Sequence, residues 1–356
     1  MKKLLLNACL LSVVTLMSCE KDADPIMDYS RDAVLVSNEG SFQKSDASVS
    51  YISKSTGFTK NDIIKKENNI AVLGDVLQDI GLKNDQLYMV LNNSGKVTVA
   101  NATTLKLEGE INGLEMPRYF AALNDTTAYV TEWVSYDGNG RVAILDLTKQ
   151  SVVGTIPVGV MPEKLLVHNG KVYVVNNGSN TVSVIDTKTN AVVRTIAVTN
   201  EPNSLVVDNN NTLWVLSNGN KNWQLTPDQY TAGALTKINL TNYTVSRTFP
   251  FANARAMASN LIRNSAGTTL YYVYNNKVYQ LGIEAAALNE KALIDRGTYV
   301  ERGFYGLGID PAGSMIYAGK APSFTDNGWV VRYNVSTGDA TDSVMVGVAP
   351  NGFLFR

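Results

Sequence analysis

Residues 161–199 read MPEKLLVHNGKVYVVNNGSNTVSVIDTKTNAVVRTIAVT. Four strand-like runs rich in β-branched residues stand out: Lys164–His168, Lys171–Val175, Thr181–Asp186 and Ala191–Val198. Between them lie His168-Asn169-Gly170, Asn176-Asn177-Gly178 and Thr187-Lys188-Thr189-Asn190. Asn and Gly tolerate the positive φ of tight turns, so short β-branched runs bounded by them form antiparallel hairpins. The stretch therefore predicts one four-stranded, up-and-down sheet.

The unit recurs along the chain. Leu73–Gly113 carries Leu87-Tyr88-Met89-Val90, Met116–Gly159 carries Ala128-Tyr129-Val130, and Glu201–Phe251 carries Leu213-Trp214-Val215. Ala252–Arg296 carries Leu270-Tyr271-Tyr272-Val273, and Arg302–Val346 carries Met315-Ile316-Tyr317. From Tyr88 to Tyr129 is 41 residues and from Tyr129 to Tyr173 is 44, close to the roughly 40–45 of a four-stranded propeller blade. These recurring aromatics are expected to pack between blades. Near the start, Ala33–Ser37, Ser48–Ser53 and Phe58–Ile64 supply the second, third and fourth strands of a blade that lacks its first. Val348–Phe355 is a first strand with no blade after it. Joined, the two ends complete a ring and remove an exposed sheet edge. The expected fold is all-β: a seven-bladed β-propeller over residues 32–356, closed by the C-terminal strand entering the N-terminal blade. A β-sandwich predicts no such period.

The first residues carry another signal. Met1-Lys2-Lys3 precedes an apolar run from Leu4 to Met17, the pattern of a secretory signal and too short for a bilayer span of about 20 residues. Leu16-Met17-Ser18-Cys19 resembles a bacterial lipobox, which implies residues 1–18 as a lipoprotein signal peptide and a diacylglycerol on Cys19. The alternative is a Ser-Cys pair within an ordinary signal peptide. Residues 19–31 are then a lipidated, flexible tether, acidic at Glu20, Asp22 and Asp24. The formal net charge is −1, and no basic tract suggests nucleic acid.

In a propeller, the loops joining second to third strands share a face with the connections between blades. Four of those loops are long: Asn38–Ala47, Glu132–Gly140, Asn218–Gly233 and Lys320–Gly328. A bare scaffold needs only tight turns, so these departures mark where a site belongs. That face is expected to gather Phe42, Tyr119, Trp133, Tyr136, Trp223, Tyr230, Phe304, Phe324 and Trp329, with Arg118, Arg255 and Arg302 and several asparagines among them. Exposed rings beside amide and guanidinium donors make a recognition surface; the alternative is that the rings only pack the loops down.

Catalytic signatures are sparse. The sole histidine, His168, falls in a turn on the opposite face, and Cys9 and Cys19 are the two cysteines, which argues against the usual clusters of transition-metal ligands. Asp146 and Asp186 both end third strands, where turn capping is the expected role. No cofactor, resident metal or catalytic residue is assigned, and the protein is expected to bind rather than catalyse.

The Val-Ile-Asp, Thr-Ile and Pro pattern of the repeats resembles the YncE-like propellers across residues 32–356. Asn38-Glu39-Gly40-Ser41-Phe42, Leu73-Gly74-Asp75-Val76, Asn92-Asn93-Ser94-Gly95-Lys96 and Met116-Pro117-Arg118-Tyr119 resemble surface lipoproteins of Bacteroidetes that include the BtuG-like cobalamin-binding family. The resemblance implies an outer-membrane, cell-surface lipoprotein that binds cobalamin or a related corrinoid and passes it to a TonB-dependent transporter. A propeller module for a glycan or a protein partner, and a lactonase-like hydrolase with calcium held by axial carboxylates, are the competing expectations.

Overall fold

The computed structural model describes residues 28–221, 224–295 and 303–356. The signal peptide, Cys19 and most of the tether lie outside the described residues, as do Trp223 and Arg302.

Seven antiparallel sheets follow one another along the chain. Blade 1 pairs Pro350–Phe355 with Ala33–Asn38, then Ser48–Ser53 and Thr59–Lys60. The strands of blade 2 are Leu77–Lys83, Gln86–Leu91, Lys96–Asn101 and Leu107–Asn112; blade 3 has Pro117–Ala122, Thr127–Glu132, Asn139–Asp146 and Ser151–Val160. Blade 4 runs through Pro162–His168, Lys171–Asn176, Thr181–Asp186 and Ala191–Ala197, within two residues of the strands expected from the repeat. Blade 5 comprises Pro202–Val207, Thr212–Ser217, Ala234–Asn239 and Thr244–Pro250. Blade 6 pairs three strands, Ala258–Arg263, Thr269–Tyr274 and Lys277–Gly282, with Ile294 bridging to Val278 in the fourth place. Blade 7 consists of Phe304–Ile309, Met315–Lys320, Asn327–Asn334 and Ala340–Val348. The first strands pack side by side around the axis, and that of blade 7 meets Pro350–Phe355. The ring is a seven-bladed β-propeller.

One boundary differs from expectation. The fourth strand of blade 1 pairs only at Thr59–Lys60, and Ile63–Asn68 forms a helix instead of continuing it. Ile63 and Ile64 bury completely beneath the blade, so the apolar pair that suggests a strand serves a helix whose inner face needs the same cover.

The second strands show why the ring holds. Leu87, Met89 and Leu91 pack in the cluster shared with blade 1, while Tyr88 and Val90 pack in the cluster shared with blade 3. Side chains alternate across a strand, so a strand sandwiched between two blades is apolar on both faces. Seven such clusters occupy the seven blade interfaces. Tyr88, Tyr129, Tyr173, Trp214 and Tyr317 each lie in one of them, as expected for packing residues. Truncating a ring this buried costs about 3–5 kcal/mol.

Candidate functional site

The site begins with a backbone device repeated around the axis. The residue before the first strand is left-handed in five blades: Val76, Met116, Met161, Glu201 and Ala349 have φ of 57°, 44°, 50°, 54° and 53°. Four of these precede a proline, a position pushed toward extended conformations. Such outliers cost on the order of 1–3 kcal/mol each and persist only where the surroundings enforce them. The enforcement is visible: the residue just after the second strand donates its N–H to the strained residue's carbonyl. Glu39 to Ala349 (3.1 Å), Asn92 to Val76 (2.8 Å), Trp133 to Met116 (3.3 Å), Asn177 to Met161 (3.0 Å) and Asn218 to Glu201 (2.9 Å) are the same clip in five blades.

Just beyond the clip, the first strand slips register against its neighbour in every blade. A bulge carries one unpaired residue and re-aims its side chain. In this molecule the bulges turn Gln78, Arg118, Glu163, Asn203, Tyr305 and Asn351, together with Asp79, Tyr119, Lys164, Ser204, Ser259 and Asn260, toward one axial funnel of about 630 Å³. The funnel opens among the loops that join second to third strands.

Its charged floor is largely paired with itself. The Arg118 guanidinium bonds Glu163 (3.0 Å) and Gln78 (2.5 Å) and lies 4.2 Å from the centre of the Trp133 ring. Burial pushes the Glu163 carboxyl up, with Arg118 opposing, and lifts Asp79, with the Phe120 N–H and Lys164 opposing. Burial also drives the Lys164 ammonium down, and its Nζ stands 5.5 Å from the centre of the Tyr119 ring. Glu39 receives the Tyr305 hydroxyl (2.6 Å) and the Asn351 amide (2.9 Å); burial still raises its carboxyl above the ordinary value of 4.5. The loop that delivers Glu39 turns at Gly40, whose φ of +82° and position against Asp46 leave no room for a Cβ. Asp46 holds Ser41, and Asp75 accepts the Gln43 N–H.

The residues expected from sequence divide plainly. Phe42, Arg118, Tyr119, Trp133, Tyr136 and Phe324 line the funnel. Phe42 and Tyr136 are 63% and 65% exposed and stand at the rim. The Trp133 indole donates to the Pro162 carbonyl (3.1 Å) and meets Tyr136 edge-on, while Phe324 meets Tyr305 edge-on. Four others do not join them. Phe304 is 6% exposed and packs in the core between blades 6 and 7, because its strand alternation turns it inward where Tyr305 turns to the axis. Tyr230, Arg255 and Trp329 lie outside the funnel lining; Trp329 sits on the third strand of blade 7, away from the axis.

Sequence reasoning missed Gln78, Asp79, Glu163, Lys164, Asn203 and Asn351, and placed Glu39 in a long loop without giving it a role in the site. The signal was present: Met116-Pro117, Met161-Pro162, Glu201-Pro202 and Ala349-Pro350 recur at blade junctions, and the two residues after each proline face the axis. His168, expected in a turn, instead ends the first strand of blade 4 half-buried, with Nε2 2.6 Å from Asn211 Oδ1. Among the described residues no three His, Cys, Asp or Glu side chains cluster for a metal, and no helix is long and apolar enough to cross a membrane.

A family model described as "Domain of unknown function (DUF5074)" matches residues 32–355. No curated protein matches the chain. Among solved structures, a quinoprotein alcohol dehydrogenase-like protein from Bacteroides thetaiotaomicron superposes with a TM-score of 0.68 at 13% identity, over 92% of this chain and 79% of that one. A protein from Lactobacillus plantarum gives 0.66 at 12%, over 91% and 99%. A candidate 6-phosphogluconolactonase from Bacteroides fragilis gives 0.64 at 11%, over 91% and 98%. At these identities the likeness shows the propeller fold and nothing of the ligand.

Proposed function

The chain belongs to that family, and on this premise we propose that it is a surface lipoprotein whose axial funnel binds cobalamin or a related corrinoid and passes it to a TonB-dependent outer-membrane transporter. One observation carries the proposal: a polar funnel lined by amides and rimmed by Phe42, Trp133, Tyr136 and Phe324. A corrinoid is a broad macrocycle edged with carboxamides. Rings give such a body apolar contact at low entropic cost, and amides fix its edges by hydrogen bonds. The motifs around Glu39, Asp75 and Arg118 that resemble corrinoid-binding lipoproteins sit at the funnel or in the loop that holds it. Binding without catalysis suits a floor whose carboxyls are engaged: Glu163 by Arg118, Glu39 by Tyr305 and Asn351, and Asp79 by the Phe120 N–H.

Isothermal titration of the chain from residue 20 with cyanocobalamin tests the proposal. One-to-one binding that weakens in Trp133→Ala supports it; absence of heat and of any thermal shift at high micromolar ligand removes it. The same rim of rings suits a sugar face, so a glycan panel is the second arm.

A further inference from the structure

The funnel's amides are not interchangeable, because backbone contacts have already fixed which end of each one faces a ligand. Asn92 donates its Nδ2 to the Pro117 carbonyl (2.9 Å), Asn177 to the Pro202 carbonyl (3.3 Å) and Asn260 to the Tyr305 carbonyl (3.0 Å). Each bond stitches one blade to the first strand of the next and consumes a donor. The Oδ1 end is thereby turned away from the backbone, with one N–H left beside it on Asn92 and Asn177 and none on Asn260, whose second N–H meets Ser259 Oγ (3.2 Å). Among the described residues no donor reaches these three oxygens, and none is a buried unpartnered atom, so they meet the open space of the funnel that all three side chains line. The floor's guanidinium does not offset them, because Arg118 is already committed to Glu163 and Gln78.

We propose that the funnel is an acceptor-rich ring that selects ligands presenting N–H or O–H donors and rejects anions, with Asn92, Asn177 and Asn260 as its specificity-determining residues. The physical reason is that a lone-pair acceptor placed against a carboxylate or phosphate leaves both unpaired and repelling, whereas against an amide N–H it closes a hydrogen bond. Discrimination of this kind arises chiefly from the penalty on the wrong partner. The inference rests on the funnel being the ligand site; it does not require that the ligand be a corrinoid.

The test compares matched pairs on the full chain. Cyanocobalamin is titrated beside the same macrocycle with its carboxamides hydrolysed to carboxylates, and benzamide beside benzoate by ligand-observed NMR. The amide member of each pair is expected to bind at least about tenfold more tightly. Asn177→Ala, whose inter-blade bond is the longest of the three, is expected to weaken amide binding about 3- to 10-fold, the effect of one neutral hydrogen bond; Asn260→Ser repeats the measurement at a second position. If cyanocobalamin does not bind while benzamide outcompetes benzoate, the corrinoid proposal falls and this one stands. Carboxylate members that bind as tightly as the amides, or lose their binding in Lys164→Met, make Lys164 an anion anchor and overturn the inference. Failure of every member to bind overturns it as well.

Discussion

The two sides of the funnel are built on the same backbone and do opposite things with it. On the side of blades 2 to 4, the first strands present Gln78-Asp79, Arg118-Tyr119 and Glu163-Lys164; on the side of blades 5 and 6 they present Asn203-Ser204 and Ser259-Asn260. The bulge recurs on both sides. The charged side closes on itself through the Arg118–Glu163 pair. On the neutral side Asn203 and Asn260 spend their amides on the next blade's carbonyl. Equal scaffolding with unequal side chains means that the fold sets where groups point, and residue identity alone sets what they recognise.

Substitutions across the two sides would break or sharpen this contrast. The largest effect is expected from Arg118→Ala, which leaves Glu163 uncompensated in a buried site and should cost about 3–5 kcal/mol in denaturant unfolding. A loss comparable to that of an exposed arginine would show the charged side to be hydrated and the contrast unreal. Next is Trp133→Ala, which removes the ring beneath Arg118 and the indole bond to Pro162; ligand binding should weaken by about 2 kcal/mol or more, as for a central anchor, measured by titration. On the neutral side, Asn203→Ala loses one bond to the Ala258 carbonyl and should cost about 0.5–1.5 kcal/mol, by the same unfolding measurement. The smallest stability effect is expected from Phe42→Ala at the exposed rim, within about 0.5 kcal/mol of the parent, while binding still falls.

Burial raises the Glu39 carboxyl in the folded chain, so the native state holds its proton more tightly than the unfolded state does. The stability from that proton is fully present below the ordinary value of 4.5 and is lost as pH rises through the raised folded value. Unfolding of Glu39→Gln followed across that range should show a flatter slope than the parent. An unchanged slope would mean that Glu39 titrates as an ordinary carboxylate.

The seven-fold repeat, the closure by Val348–Phe355 and the packing role of the second-strand aromatics were all legible in the sequence, because a strand buried on both faces writes an unbroken apolar run that turn residues punctuate at fixed spacing. The long loops lie on the face where the funnel opens, and Phe42, Trp133, Tyr136 and Phe324 on them line it. Exposure along a loop is not a period, however, so nothing distinguished them from Trp329 and Arg255, which point elsewhere. Within the strand Phe304–Ile309 the reverse happened: adjacent residues alternate faces, and only the bulge decides that Tyr305 and not Phe304 turns to the axis.

By itself, then, the sequence determined the propeller and its blade count and set the longest loops on the face where the funnel opens, since these follow from local propensity and a repeated pattern. Only the tertiary structure decided which side chains share the funnel, because Tyr305 and Asn351 lie 266 and 312 residues from Glu39 along the chain yet both bond it at the axis. Ring closure, a non-local event, brings them together.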